Sequence, residues 1–191
     1  MPKRINKIFP KTPNGFFKYD NEGLWSITHV TDAEYLSKKI LQIANDINVK
    51  IIDMTAGCGG NLISFMLNFK NVTGVELDSD RYDMLKHNVN QYKHNCNINL
   101  INDDCLNQIS NDYDVFFFDP PWGGPKYKKE ENVKLYLSDV ELRDIIKLIN
   151  KNKLVVLKLP FNYDYEYIKK EYILLEDTLI KNIRFIIFYT L

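Results

Sequence analysis

The sequence predicts an α/β fold: a mostly parallel sheet covered by helices and finished by a C-terminal antiparallel hairpin. Three observations predict it. From residue 50 onward, apolar runs of strand length alternate with helical patterns. Two of the runs, 114–118 (DVFFF) and 153–159 (KLVVLKL), are nearly continuous in apolar residues, as strands buried on both faces are. The last two runs, 173–180 and 183–190, are separated only by Lys181-Asn182, the length of a hairpin turn. A chain of 191 residues suits one domain, and a 45% hydrophobic composition supplies a core that a disordered chain would lack.

Residues 1–30 read as an irregular or partly ordered extension, because Pro10, Pro13 and Gly15 interrupt any long element; residues 31–191 form the α/β domain. The first helix is expected over 32–47. Thr31-x-x-Glu34 is a capping-box pattern, and Leu36, Ile40, Ile43, Ala44 and Ile47 share one face. A strand at 50–55 (KIIDMT) runs into a glycine-rich turn and a helix at 61–69. A second strand at 72–77 (VTGVEL) precedes a helix capped by Ser79 and running to about 92. Strands follow at 98–102 and 114–118. Ser138-x-x-Glu141 is expected to cap a helix that runs to 150, before the strand at 153–159, a short helix at 165–170 and the hairpin.

Lys plus Arg and Asp plus Glu both number 25, so the net charge is zero, which argues against broad nonspecific nucleic-acid binding. Residues 1–18 nevertheless hold Lys3, Arg4, Lys7, Lys11 and Lys18 and no acid: a solvated tail or a local basic patch. The three cysteines, Cys58, Cys96 and Cys105, form no C-x-x-C pair, so neither a disulfide framework nor a zinc site is expected. A reducing intracellular compartment fits them. Neither a membrane-length apolar run nor a signal-peptide pattern is present, so no membrane association is expected. His29, His87 and His94 lack metal or triad spacing, and no metal is expected.

In open α/β sheets, ligands bind beyond the carboxyl ends of the strands, so the turns after each strand are the places to search. The first ends in Asp53-Met-Thr-Ala-Gly57-Cys-Gly59-Gly60-Asn61. Its spacing is D-x-x-x-G-x-G-G rather than the dinucleotide G-x-G-x-x-G. An acid inside the turn repels a pyrophosphate and neutralises an ammonium, which favours S-adenosylmethionine. Glu76, ending the second strand, is placed to accept from both ribose hydroxyls, with Asp78 as a helix cap beside it. After the third strand, either Asp103 or Asp104 is in position to accept from an adenine amino group.

The fourth strand ends in Asp119-Pro120-Pro121-Trp122-Gly123-Gly124-Pro125-Lys126-Tyr127. Its first four residues fit the (Asp/Asn/Ser)-Pro-Pro-aromatic motif of amino-group methyltransferases. An exocyclic amine is a poor nucleophile because its lone pair is delocalised into the ring. A carboxylate and a nearby carbonyl that each accept one N–H hold the nitrogen in line with a sulfonium methyl, a positioning effect. The prolines stiffen the turn, and the aromatic ring stacks the base. A 7-methylated guanine is cationic, so an indole face gains about 0.5–2 kcal/mol from stacking it. Gly123 and Gly124 leave room beside Trp122. Lys126, Lys128 and Lys129 either meet phosphates or, with Glu130 and Glu131, form a neutral solvated loop.

From about residue 20 to 160 the chain closely resembles the trimethylguanosine synthase family of cap guanine-N2 methyltransferases. The match lies in Glu22-Gly-Leu-Trp-Ser26-Ile-Thr28, in the turn 53–61, and in 119–127, whose P-P-W-G-G-P-x-Y is not general among amino methyltransferases. The resemblance implies a class I methyltransferase fold, with Trp122 stacking 7-methylguanine and Asp119 with Pro120 orienting the amine. Asp53, Thr55, Gly57, Gly59, Asn61, Glu76, Asp104, Cys105 and Thr28 become the expected S-adenosylmethionine residues. Trp122, Glu22, Ser26, Tyr127, Lys7, Arg4 and Lys158 become the expected residues toward a capped RNA, the last four near its phosphates. Ser26 and Thr28 also fit plain turn chemistry. One departure stands out: Leu159-Pro160 is followed by Phe161, where family members can carry a basic residue, so a phosphate contact is either absent or supplied by Lys158. The resemblance implies methylation at N2 to 2,7-dimethyl- and, with a second transfer, 2,2,7-trimethylguanosine. It implies no obligatory protein partner and a nuclear or cytoplasmic setting, a viral factory included. The rivals are a guanine-N2 or adenine-N6 methyltransferase of ribosomal RNA or DNA, and a cap-binding module without turnover.

Overall fold

The computed structural model describes residues 5–12 and 15–191. The chain divides into two compact units, Met1–Asp103 and Asp104–Leu191. In the first, the single turns α1 (Ile5–Ile8) and α2 (Gly23–Ser26) precede the helix α3 (Val30–Ala44). The capping box expected at Thr31 and Glu34 is not used. His29 is the N-cap: its ring nitrogen accepts from the Thr31 N–H at 3.4 Å and lies 2.8 Å from the Thr31 hydroxyl, starting the helix earlier. Leu36 and Ile40 are buried as expected. Asn45 ends the helix at φ 51, a left-handed conformation that Asn tolerates, which leaves Ile47 exposed beyond it.

Strands β1 (Lys50–Asp53), β2 (Asn71–Glu76) and β3 (Asn97–Asn102) pair in parallel, with Ile51 opposite Val72 and Val72 opposite Ile98. Helix α4 (Gly60–Asn68), buried from Gly60 to Met66, connects β1 to β2. It meets α3 through a 2.7 Å hydrogen bond between the Ser37 and Ser64 hydroxyls. Helix α5 (Ser79–Val89) is capped by Asp78, not by Ser79: the carboxylate accepts from the Arg81 N–H at 2.9 Å.

The N-terminal extension is ordered where it is described. Ile8 and Phe9 are buried, Phe9 stacks on Phe17 at 4.4 Å, and Phe17 stacks on Tyr92 at 5.9 Å. Fully buried Asn88 substitutes for a strand partner: it accepts from the Lys18 N–H at 2.8 Å and donates to the Lys18 carbonyl at 2.7 Å. Tyr92 donates its hydroxyl to the Pro10 carbonyl at 2.7 Å.

In the second unit, β4 (Val115–Phe118) pairs in parallel with β7 (Leu154–Pro160), and both are buried throughout. The final hairpin, β8 (Ile173–Ile180) and β9 (Ile183–Tyr189), adds antiparallel through β9 to β7. The expected α/β class, parallel pairing with an antiparallel C-terminal hairpin, is therefore the one observed. The capping expectation at Ser138 is corrected. Ser138 (φ 48) and Asp139 (φ 64) are both left-handed and form the tight turn between β5 (Tyr136–Leu137) and β6 (Val140–Glu141). Helix α6 then covers only Leu142–Lys147, and α7 (Glu166–Glu171) follows β7. Among the described residues, no helix is long and apolar enough to cross a membrane.

Candidate active site

In the first unit, the turn after β1 is built by backbone that only glycine adopts cheaply. Gly57 (φ 53) and Gly59 (φ 102) are left-handed, and a Cβ on Gly59 would fall 2.9 Å from Leu85. A Cβ on Gly57 would meet nothing within 4 Å, so that side of the turn is open. The Gly57 N–H donates to Glu76 Oε2 at 2.8 Å, and the Asp78 N–H donates to Glu76 Oε1 at 2.9 Å. The carboxylate ending β2 is thus fixed in orientation. Burial pushes the Glu76 acid up from its ordinary value, against those two N–H groups, which pull it down. Asp78 caps α5, the role that the sequence offered it.

Asp53 is buried and accepts from the Thr55 N–H at 3.1 Å. Buried Thr28 accepts from Asn61 Nδ2 at 2.7 Å, while the other Asn61 polar atom, Oδ1, is buried without a protein partner. That atom, the open side of Gly57 and the fixed Glu76 carboxylate are what a ligand with ribose hydroxyls and an ammonium group requires. The residues of this unit fit S-adenosylmethionine.

The sequence reading missed Arg81. Its guanidinium pairs with Asp20 at 2.8 Å and with Glu22, pinning the segment before α2 to α5. Glu22, expected toward the substrate, is exposed and held in this pair; Ser26 is exposed on α2. Nothing in the sequence signals a pairing across 59 positions. Lys7 lies exposed in α1, and Arg4 lies outside the described residues.

In the second unit, Asp104 caps a short 3-10 turn, Cys105–Gln108, by accepting from the Leu106 N–H at 2.9 Å. Cys105 is buried, and that burial pushes its thiol up to about 12. The Asp119 side chain at the end of β4 is 15% exposed, and its carboxylate meets the Lys158 ammonium of β7 at 2.6 Å. Burial pushes the Asp119 acid up and Lys158 opposes this. Lys158 is 4% exposed. The sequence reading offered it as a phosphate contact; the parallel register of β4 and β7 instead turns it onto Asp119.

Pro120 is buried, and Trp122 is half-buried with its Nε1 lacking a protein partner. The Lys158 ammonium lies over the indole, 5.4 Å from the ring centroid. Tyr127 packs edge-on against Trp122 at 5.3 Å and 83°. Gly123 (φ 80) and Gly124 (φ 69) are left-handed, with no atom within 4 Å of a Cβ built on either. The space at these two glycines is therefore open. Asn162, unremarked in the sequence, donates to the Tyr127 carbonyl at 2.8 Å and the Glu130 carbonyl at 2.7 Å, fastening the 3-10 helix Gly124–Lys129 to the segment after β7. Lys126, Lys128 and Lys129 on that helix are exposed.

Comparison with known proteins places these features. A family model described as RNA cap guanine-N2 methyltransferase matches residues 48–184. The uncharacterized protein L320 of Acanthamoeba polyphaga mimivirus is 42% identical over 125 residues, covering 61% of this chain and 48% of its own. The trimethylguanosine synthase of Schizosaccharomyces pombe is 32% identical over 141 residues, covering 66% of this chain and 57% of its own. The chain spans about half the length of the curated relatives it matches. Among solved structures, a Porphyromonas gingivalis protein described as a methyltransferase superposes with TM-score 0.66 at 15% identity, covering 90% of this chain and 43% of its own. A Listeria monocytogenes protein described as a class I S-adenosylmethionine-dependent methyltransferase gives 0.55 at 17% identity, covering 84% of this chain and 58% of its own. These two likenesses speak to the fold alone.

Proposed function

The chain belongs to the RNA cap guanine-N2 methyltransferase family, whose cofactor is S-adenosylmethionine, and from that premise we propose that it methylates the exocyclic N2 amine of a 7-methylguanosine RNA cap. The observation that carries the proposal is the turn after β4, where a carboxylate and an indole are held in one stiff Asp-Pro-Pro-Trp sequence beside two glycines with open space. When bound, S-adenosylmethionine supplies an electrophilic methyl on a positively charged sulfur and leaves as a neutral thioether. The protein's task is then positional. Glu76 receives the ribose hydroxyls on the lone pairs that its two backbone partners leave, and Asp53 faces the ammonium group. The open side of Gly57 and the unpartnered Asn61 Oδ1 accommodate the rest.

Trp122 offers its indole to the purine. A ring already cationic at N7 is favoured there over neutral guanine by the attraction of a cation to the π face. Asp119 and the Pro120 carbonyl each accept one N–H of the 2-amino group. This would turn its lone pair out of the ring, the state in which the nitrogen can form an N–C bond to a methyl donor as the donor's C–S bond breaks. The nitrogen then sheds its extra proton, with Asp119 as the nearest acceptor. The product is 2,7-dimethylguanosine, and 2,2,7-trimethylguanosine where a second transfer follows. Tyr127, Lys126, Lys128, Lys129 and the basic N-terminal residues are the proposed contacts for the cap phosphates.

The test is methyl transfer from S-adenosylmethionine to free 7-methyl-GTP and to GTP, with the product mass read for one or two additions. Transfer to 7-methyl-GTP at least ten-fold above GTP is the expected result. Equal transfer to both would point to a methyltransferase of unmodified guanine in other RNA or in DNA.

A further inference from the structure

The Asp119–Lys158 pair is not explained by the roles assigned so far. A lysine 4% exposed is unusual, and this one makes two contacts at once: a 2.6 Å ion pair with Asp119 and a position 5.4 Å over the Trp122 ring. It stands on β7, the strand next to β4 in this unit, between Leu157 and Leu159, which are fully buried. It is therefore set by the sheet and not by a mobile loop. We propose that Lys158 is a positioning residue that acts through Asp119 and Trp122, holding the carboxylate ionised and aimed as a hydrogen-bond acceptor while closing one indole face so that the base stacks on the other.

The chemistry follows from what each group accepts and donates. A carboxylate held largely out of water drifts toward its neutral acid, and a neutral acid offers a proton where the amine needs an acceptor. An ammonium at 2.6 Å opposes that drift. An ionised carboxylate has about four lone-pair sites, so donation from Lys158 to Oδ2 leaves capacity to accept from an amine. On the tryptophan side, the same ammonium occupies the space over one face, and the glycines 123 and 124 keep space open in the turn that carries the ring. The Asp119 carboxylate also offsets the lysine's charge toward an incoming cationic purine. Lys158 from β7 is a charged group acting on Asp119, and Tyr127, against Trp122, is a neighbouring phenol.

The inference rests on the amine-methylation reading, and the experiment separates the two. Rates on 7-methyl-GTP are measured against pH for the wild type and Lys158→Met. In the wild type, activity falls at low pH as Asp119 protonates. In the variant this acid limb is expected to move toward neutrality by at least one pH unit, so at pH values well below its midpoint the rate drops at least ten-fold against the wild type and recovers as pH rises. Lys158→Arg, which keeps the charge, is expected to stay near the wild-type profile. Acid limbs that coincide in wild type and Lys158→Met overturn the inference, whatever the change in rate. Lys158→Gln carries the same two outcomes should Lys158→Met fail to fold. The titration of the Asp119 carboxyl carbon, followed by NMR in both proteins, reads the pair without turnover. A higher midpoint in the variant supports the inference and equal midpoints overturn it, even for a wild type inactive on both nucleotides, which would unseat only the substrate reading.

Discussion

Trp122 shows what a single residue's sequence context reveals and what it conceals. Its identity and the acid three positions before it were legible, because the chemistry of an amine demands an acceptor and a stacking face in one short turn. The ammonium over its ring was not, because Lys158 lies 39 positions from Asp119 and meets it only through strand pairing. The same holds for Arg81, whose two carboxylate partners lie about sixty positions away. At this scale the sharpest expectation concerns the indole. Trp122→Ala removes both stacking and the cation attraction, and affinity for 7-methyl-GTP is expected to fall at least ten-fold, about 1.4 kcal/mol, with S-adenosylmethionine affinity unchanged. Titration calorimetry with each ligand checks it; an undiminished nucleotide affinity would mean that the base stacks elsewhere.

The strands β1–β4 and β7–β9 and the helices α3–α7 were legible in order; the short α1 and α2, the β5–β6 hairpin and the ends of the elements were not. Capping patterns are short, and the local sequence offers several. His29 displaced the box at Thr31 because its ring, two residues earlier in the chain, accepts from the Thr31 N–H. At Ser138 the pattern belonged to a two-residue hairpin turn, a competing use of the same small polar residues. The glycine turn after β1 was read correctly because its demand is steric. Gly59 sits at φ 102 with Leu85 2.9 Å from where a Cβ would stand. Gly59→Ala meets both a left-handed backbone and that contact, so a loss of about 1–3 kcal/mol in unfolding free energy is expected. Urea denaturation monitored by circular dichroism measures it, and a midpoint equal to the wild type's would show that the turn relaxes without cost.

For the molecule as a whole, the parallel strands and the closing hairpin were evident from patterns that act over many residues. The order in the N-terminal segment was not, since Phe9 and Phe17 lie among prolines and lysines that read as coil. Removing residues 1–19 strips Tyr92 and Asn88 of the partners described above. The truncated chain is expected to melt several degrees lower, from loss of two ring contacts worth about 0.5–1.5 kcal/mol each and of a buried amide's partners; scanning calorimetry decides, and an unchanged melting temperature would mark the segment as dispensable. Each unit has a buried cysteine in a turn after a strand, Cys58 after β1 and Cys105 after β3. Burial pushes these thiols up to about 11 and about 12. A methyl sulfonium is an alkylating agent, and sulfur attacks such reagents as thiolate, seldom as thiol. Kept protonated at neutral pH, the two sulfurs are poor nucleophiles, so both are expected to react slowly with alkylating reagents.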